Sequence, residues 1–315
     1  MRRLVLLGVF GLVLPLPSLA APPSPPDPLY VDDEQVFTNL MDKLTELAKV
    51  GKLLPHEKLK ARIKEGPAKV TAQLPGNKAL TPEDVYKMAL PSVFIVGSVI
   101  KEDDEWIDGR YATAWVLAAD GVLVTNWHVF EEMEPSEVFG AADHRGNVYP
   151  VTDFLGGNKA MDVAIFRIDA KNLTPLPVAR QPEGVAAWVA VLSHPGDQFY
   201  MFTQGHITRY SRTKLEDGTI EKWLNITAEY ATGSSGGPVL NRHGAVVGMA
   251  AVTVSIDYPE EAAKAVPPEK DKPKDKPKEK VEEKAPSSST LQMVVKLAVP
   301  ATEIMTLLKD QADQP

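Results

Sequence analysis

Three polar side chains of this chain are of the types that acyl-transfer chemistry requires. His128 stands at the end of one apolar run, Asp162 opens another, and Ser235 lies in the segment Gly-Ser-Ser-Gly-Gly-Pro. An alcohol becomes a nucleophile when a base removes its proton, and that base needs an acceptor that fixes its tautomer. Glycines beside the serine let backbone N–H groups converge where an oxyanion develops. Taken singly, each residue has a structural explanation, but together they predict a Ser–His–Asp hydrolytic site.

The three segments resemble the signatures of the trypsin-like serine peptidases. The order His–Asp–Ser matches that family, and so do the separations of 34 and 73 residues. The cysteine-free sequence and the exported character described below are similar to the bacterial HtrA-type branch. The resemblance covers roughly residues 90–308 and leaves only a few residues after them, so a C-terminal PDZ domain is not expected.

The resemblance implies a role for each residue of the site. Ser235 would attack the substrate carbonyl, His128 would act as the general base, and Asp162 would orient the histidine. The backbone N–H groups of Gly233 and Ser235 would form the oxyanion hole. Because the family places its nucleophile directly before Gly-Gly-Pro, the resemblance selects Ser235 over Ser234.

The family pattern also predicts a pocket for the residue before the scissile bond, bounded by residues 229–233 and 250–253. Its predicted lining residues are Glu229, Ala251, Val252 and Thr253. The small apolar side chains of one wall favour a small aliphatic substrate residue. Glu229 has two interpretations, a pocket acid that favours lysine or arginine, or a strand-end charge exposed to solvent, and we prefer the second.

The composition limits the partners and cofactors of the chain. Asp and Glu outnumber Lys and Arg by 42 to 34, which gives a formal net charge of −8. Nucleic-acid binding usually requires a basic surface, so we expect no nucleic-acid partner. The sequence has no cysteine, which excludes disulfides, thiolate metal sites and cysteine nucleophiles. His194 and His206 have no further ligands at metal-binding spacing, so neither a metal nor an organic cofactor is expected.

The N-terminal sequence predicts export. Residues 1–20 combine two arginines, an apolar run too short to span a bilayer and a small-x-small cleavage site, as a signal peptide does. An uncleaved anchor is the alternative interpretation. Residues 21–29 form a proline-rich linker. We therefore expect a periplasmic or secreted protein with no membrane span after signal cleavage, and the sequence indicates no particular oligomeric state.

Helical periodicity dominates residues 30–90, which we interpret as a helical N-terminal region. Apolar residues at helical spacing predict one helix over residues 33–49 and a shorter one over 55–63. A third begins after the capping residue Thr81 and stops before Pro91. These helices are interpreted as an accessory subdomain or a packing segment rather than as part of a site.

From residue 92 onward the hydrophobic pattern alternates, as in short β-strands. The eleven predicted strands cover residues 92–100, 112–118, 121–125, 148–155, 162–168, 185–192, 199–209, 222–230, 237–241, 245–254 and 292–299. With the resemblance, they imply a mainly β fold of two six-stranded antiparallel barrels, the chymotrypsin-like double barrel. Residues 91–310 are assigned to this peptidase domain, which a helix over about 301–309 closes. The Lys-, Pro- and Glu-rich residues 259–290 predict a disordered insert.

The sequence thus predicts an exported trypsin-like serine endopeptidase, a hydrolase with polypeptide substrates. It would hydrolyse peptide bonds through an acyl-enzyme on Ser235. Two alternatives stay open. One is a catalytically latent trypsin-fold scaffold that binds peptides or envelope proteins, and the other is an enzyme that applies the same acyl chemistry to esters.

Overall fold

The computed structural model describes residues 30–131, 133–257 and 291–308. The predicted signal peptide, linker and insert lie outside the described residues. Strands dominate the described part of the chain, and the predicted mainly β class is confirmed. Among the helices that the structure describes, none is both long and apolar enough to cross a membrane.

Helix α1 (Asp33–Lys49) matches the first predicted helix. Its N-cap is Asp32, whose carboxylate accepts a hydrogen bond from the N–H of Gln35 at 3.0 Å. Its buried residues are Leu40, Met41 and Leu44. They belong to one apolar cluster with strand residues of the first barrel. Burial of this stripe against the barrel therefore stabilises α1, as is usual for helices of this length.

Two shorter helices follow α1. Helix α2 (His56–Lys60) is shorter than the predicted segment 55–63, because the chain turns after Lys60. Helix α3 (Pro82–Ala89) begins after Thr81, whose hydroxyl accepts the N–H of the third helical residue at 3.2 Å. It ends before Pro91, as predicted.

Six antiparallel strands form the first closed barrel, in the spatial order β1-β2-β3-β6-β5-β4. They are β1 (Val93–Glu102), β2 (Glu105–Ala118), β3 (Val122–Thr125), β4 (Val138–Ala142), β5 (Val148–Asn158) and β6 (Val163–Ile168). The barrel closes because β1 pairs with β4 as well as with β2. Apolar residues fill its interior, and the ends of β3 and β6 carry the first two candidate site residues.

A second group of six antiparallel strands closes in the order β10-β11-β12-β9-β8-β7. They are β7 (Trp188–Ser193), β8 (Met201–Lys214), β9 (Ile220–Ile226), β10 (Pro238–Leu240), β11 (Val246–Asp257) and β12 (Leu291–Pro300). Helix α4 (Ala301–Thr306) follows β12 directly. It is shorter than predicted, because Leu308 leaves the helix and forms a bridge with Ala68.

Strand β4 is absent from the eleven predicted strands, so the described residues contain twelve. Its sequence, Val-Phe-Gly-Ala-Ala, is buried on both faces, so it lacks the alternation that identifies a half-buried strand. Strand β9 also ends earlier than the predicted residue 230. The residues after Ile226 leave the ladder and lead to the turn that contains Ser235.

Candidate active site

The backbone at the end of β3 turns His128 toward solvent. A short 3-10 turn, Trp127–Val129, follows the strand, and both of its terminal side chains are buried. The side chain of His128 between them is 46% exposed. The two buried neighbours anchor the turn in the core of the first barrel, and the imidazole is therefore held at its surface.

Asp162 lies just before β6 and holds both the backbone and the ring of His128. One carboxylate oxygen accepts the backbone N–H of His128 at 3.0 Å, and the other lies 2.9 Å from Nδ1. Asn126 donates from Nδ2 to the carbonyl oxygen of Asp162 at 2.9 Å, which fixes the backbone on the other side. The aspartate has a φ of 54°, a left-handed conformation that Asp adopts more readily than most residues. A carboxylate at Nδ1 keeps the proton there and leaves Nε2 as the basic nitrogen.

The two serines of the glycine-rich turn have different environments. Ser234 is buried, and its hydroxyl hydrogen-bonds to that of Ser193 at 3.0 Å and accepts the N–H of Ala231 at 3.3 Å. Ser235 is half-buried, and its hydroxyl bonds to no other group in the described residues. Ser234 thus stabilises the turn, whereas the hydroxyl of Ser235 is available for chemistry.

The turn docks on the first barrel through Thr113 of β2. The N–H of Thr113 donates to the carbonyl oxygen of Ser235 at 2.9 Å, and its hydroxyl donates to the carbonyl oxygen of Gly233 at 2.9 Å. The hydroxyl of Thr125, three residues before His128, donates to the carbonyl oxygen of Thr113 at 2.7 Å. This chain of bonds brings the serine turn to the end of β3 that carries the histidine.

The docking also orients the backbone of the turn. Since the carbonyl groups of Gly233 and Ser235 bond to Thr113, their positions are fixed by the first barrel. The N–H groups of Gly233 and Ser235 donate to no acceptor among residues 30–131, 133–257 and 291–308. Two unpaired donors on either side of one residue are what an oxyanion hole requires.

Residues 112–249 match the protein family described as a trypsin-like peptidase domain. The protein named "Probable periplasmic serine endoprotease DegP-like" of Chlamydia pneumoniae is 31% identical over 144 residues, which are 45% of this chain and 29% of that protein. The "Serine endoprotease DegS" of Haemophilus influenzae is 25% identical over 181 residues, 55% of this chain and 52% of that protein. Both relatives are named as serine endoproteases.

A solved structure titled as the HtrA-type protease AlgW with a tripeptide has the same fold. It superimposes with a TM-score of 0.51 over 72% of this chain and 62% of that chain, at 17% sequence identity. At this identity the likeness concerns the fold alone. This chain spans about a third to a half of the length of the curated relatives it matches.

A tyrosine that the sequence analysis missed packs against the turn that contains Gly233 and Ser235. The hydroxyl of Tyr111 donates to the carboxylate of Asp197 at 2.7 Å and accepts the N–H of the same residue at 2.7 Å. A β-carbon on Gly233 would contact the Tyr111 ring. Burial, followed by the bond to the Asp197 carboxylate, raises the pKa of Tyr111 to about 12. The phenol therefore stays protonated and keeps the loop before Phe199 in place.

His194, which the sequence analysis considered as a metal ligand, is instead packed in the interior of the protein. It is fully buried, and its Nδ1 accepts the N–H of Tyr200 at 3.0 Å. Burial lowers the pKa of His194 to about 3, so the ring is neutral. His206 lies exposed on β8. Within the part of the chain that the structure describes, no cluster of three or more His, Asp and Glu residues could bind a metal.

The four predicted pocket residues lie around Tyr230 and Lys296, two side chains that the sequence analysis did not single out. Glu229 is exposed, and its carboxylate pairs with the ammonium of Lys296 at 3.1 Å. Lys296 is the register partner of Thr253 in the β11–β12 ladder. Val252 accepts a hydrogen bond at its carbonyl oxygen from Tyr230, and Ala251, half-buried, precedes it. A lysine inside the apolar run Val-Val-Lys-Leu-Ala was the sequence signal for this arrangement.

Gly236 provides a test of how closely the turn must approach the first barrel. Its φ is 89°, and an added β-carbon would overlap the carbonyl oxygen of Thr113 and the hydroxyl of Thr125. Gly236→Ala is expected to lower the free energy of unfolding by about 3 kcal/mol, since it combines backbone strain with overpacking. Denaturant unfolding of the purified variant measures this loss.

The matched control is Gly218→Ala in the β8–β9 hairpin. Gly218 has a φ of 90°, but nothing lies within 4 Å of an added β-carbon there. We expect Gly218→Ala to lower the free energy of unfolding only through backbone strain, by about 1 kcal/mol. Equal losses for the two variants would show that the contact with the first barrel is not tight.

Proposed function

We propose that this chain is an exported serine endopeptidase that hydrolyses peptide bonds through an acyl-enzyme on Ser235. The observation that carries the proposal is the double attachment of His128 to the carboxylate of Asp162, through its backbone N–H at 3.0 Å and through Nδ1 at 2.9 Å. It holds the imidazole in the tautomer whose Nε2 can accept a proton. This is the form that a general base needs.

In the proposed acylation step, Nε2 of His128 takes the proton of the Ser235 hydroxyl as that oxygen attacks the substrate carbonyl carbon. The carbonyl electron pair moves onto the oxygen, where the N–H groups of Gly233 and Ser235 stabilise the charge. The C–N bond then breaks, and His128 gives its proton to the departing amine. A water molecule attacks the acyl-enzyme in the same way, with His128 again as the base.

The proposed domain organisation and location follow from the predicted signal peptide, from the sequence pattern and from the names of the relatives. We assign residues 1–20 to a cleaved signal peptide and residues 91–310 to a chymotrypsin-like double-barrel domain, with a helical region at 30–90 and an insert at 259–290. The name of the Chlamydia relative places that protein in the periplasm. We therefore propose a periplasmic or secreted location, and polypeptides as substrates.

A second candidate is a latent scaffold that binds peptides without turnover. One observation favours it: within the described residues, no hydrogen bond joins the hydroxyl of Ser235 to His128. Catalytic hydrogen bonds of substrate-free enzymes are often long and tighten only in the substrate complex. A substrate-free peptidase can therefore lack this bond too, which weakens the support for the scaffold, and reactivity of the serine distinguishes the two functions.

The test is covalent labelling of the purified protein by an alkyl fluorophosphonate, followed by intact mass and peptide mapping. The peptidase proposal expects one adduct, on the peptide that contains Ser235, because only an activated serine reacts quickly with this probe. Protein unfolded in guanidinium is the control and should remain unlabelled. No adduct on the folded protein would favour the scaffold, and hydrolysis of short-chain esters without cleavage of casein would favour an esterase.

A further inference from the structure

Helix α1 packs on the first barrel, but its first turn contacts a loop of the second. This β7–β8 loop consists of residues 194–200 and joins β7 to β8. One carboxylate oxygen of Asp33 accepts the backbone N–H of Phe199 at 2.8 Å, across 166 positions of sequence. Asp33 is half-buried. The bond therefore attaches the N-terminal region to the β7–β8 loop.

Aromatic rings extend the contact between α1 and this loop. Phe37, one turn after Asp33, meets Tyr111 of β2 edge-on, with the ring centroids 6.3 Å apart. The ring of Tyr111 lies 5.4 Å from that of Phe199, and its hydroxyl bonds to the N–H and the carboxylate of Asp197. Helix α1 thus holds the β7–β8 loop directly through Asp33 and indirectly through Tyr111.

The β7–β8 loop needs such contacts because its backbone is strained. Asp197 has a φ of 61° and Tyr200 a φ of 59°, a left-handed conformation that bulky residues such as tyrosine rarely adopt. Strained backbone persists only where the surrounding structure holds it in place. Loss of the bond to Asp33 should therefore let the loop adopt other conformations.

The same loop packs on the turn that carries the proposed nucleophile. The N–H of Gly196 donates to the carbonyl oxygen of Thr232 at 2.9 Å, directly before Gly233. A β-carbon on Gly233 would overlap the carbonyl oxygen of His194, so the loop and the turn are in close contact. The N–H of Gly233 is one of the two proposed oxyanion donors. A displaced loop would therefore displace that donor.

We propose that Asp33 is a positioning residue for the oxyanion hole. It holds the β7–β8 loop, and the loop holds the N–H of Gly233 where the oxyanion develops. This inference rests on the proposed peptidase function and adds a residue outside residues 112–249, the segment that matches the trypsin-like peptidase family. Helix α1 then contributes to the site, whereas the sequence analysis interpreted it as an accessory or packing segment.

The test is the kinetics of Asp33→Ala in the full chain with a chromogenic peptide. The variant lacks the acceptor of the Phe199 N–H and should lower kcat by at least about 10-fold, a part of the loss of about 10²–10³-fold that follows removal of an oxyanion donor. KM should stay within about 2-fold, because the oxyanion exists only in the transition state. Hydrogen exchange of the amides of residues 194–200 should be faster than in the wild type.

Three variants serve as controls. Asp33→Asn keeps an oxygen that can accept the Phe199 N–H and should keep kcat within about 3-fold of the wild type. Glu34→Ala removes the adjacent, exposed acid of the same helical turn and should leave kcat unchanged. Gly218→Ala lowers stability in the β8–β9 hairpin and should also keep kcat, which separates stability from positioning. Should Asp33→Ala not fold, Asp33→Leu, which has the branching of Asp but no acceptor, supplies the same comparison.

The outcomes distinguish this inference from the proposed function. Wild-type kcat in a folded Asp33→Ala or Asp33→Leu overturns the inference alone, and so does an equal loss of kcat in Gly218→Ala. Failure of the alkyl fluorophosphonate to label the wild type overturns the proposed function and the inference with it. A loss of kcat at constant KM in Asp33→Ala, with recovery in Asp33→Asn, supports the assignment.

Discussion

Ser235→Ala is expected to lower kcat for a peptide substrate by about 10⁶-fold, the loss seen when a catalytic serine is removed from a triad. The alanine has no oxygen to attack the carbonyl carbon, so the acyl-enzyme cannot form. The half-buried hydroxyl bonds to nothing in the described residues, so thermal unfolding should be unchanged within about 0.5 kcal/mol. Hydrolysis of a chromogenic peptide together with thermal unfolding measures both expectations.

The neighbouring serine supplies the matched control. Ser234→Ala removes a hydroxyl that bonds to Ser193 and to the N–H of Ala231, so it should cost about 1 kcal/mol of stability. The kcat of Ser234→Ala should stay within about 10-fold of the wild type, because Ser235 still supplies the nucleophilic oxygen. If Ser234→Ala were inactive and Ser235→Ala active, the order of the two serines would be reversed.

The positions of the proposed triad could be predicted from the sequence because each lies at a boundary that short-range patterns reveal. His128 follows the apolar strand β3, Asp162 precedes β6, and the glycines around Ser235 mark a tight turn. These local patterns locate the residues, and the resemblance to a known family supplies their pairing. The 2.9 Å contact between Asp162 and His128 is consistent with that pairing.

The residues around the predicted pocket could not be identified in the same way. Tyr230 and Lys296 are 66 positions apart, and Tyr111 and Asp197 are 86 positions apart. Side-chain identity alone does not say which distant partner a tyrosine or a lysine will meet. Lys296 could have been flagged as a charge within an apolar run, but its partners depend on the register between β12 and β11.

Helix α1 is a second case in which the sequence predicts an element but not its distant partner. Its apolar stripe predicts a helix, but not the surface that it covers. In the structure, Gly97 of β1 and Gly140 of β4 are register partners, and Leu40 and Leu44 pack over them. Because a glycine lacks a side chain, this pair forms the depression that accepts the helix. Neither glycine shows a helix-binding pattern when the sequence is read locally.

Asp162→Asn is expected to lower kcat/KM by about 10⁴-fold while leaving the fold intact. The side-chain oxygen of the asparagine can still accept the backbone N–H of His128, which in the wild type donates to Asp162 at 3.0 Å. Its amide would then face Nδ1, and the amide N–H favours an unprotonated Nδ1. The ring proton moves to Nε2, which can no longer accept the proton of Ser235.

Asp120→Asn is the control for this loss of charge. Asp120 is an exposed aspartate that pairs with Arg167 at 2.6 Å, and its replacement should leave kcat/KM unchanged. Peptide hydrolysis measures both variants, and fluorophosphonate labelling should slow in Asp162→Asn only. A loss below about 10-fold in Asp162→Asn would mean that Asp162 packs against His128 without setting its tautomer. The carboxylate would then contribute to the structure of the first barrel, and a different group would have to activate Ser235.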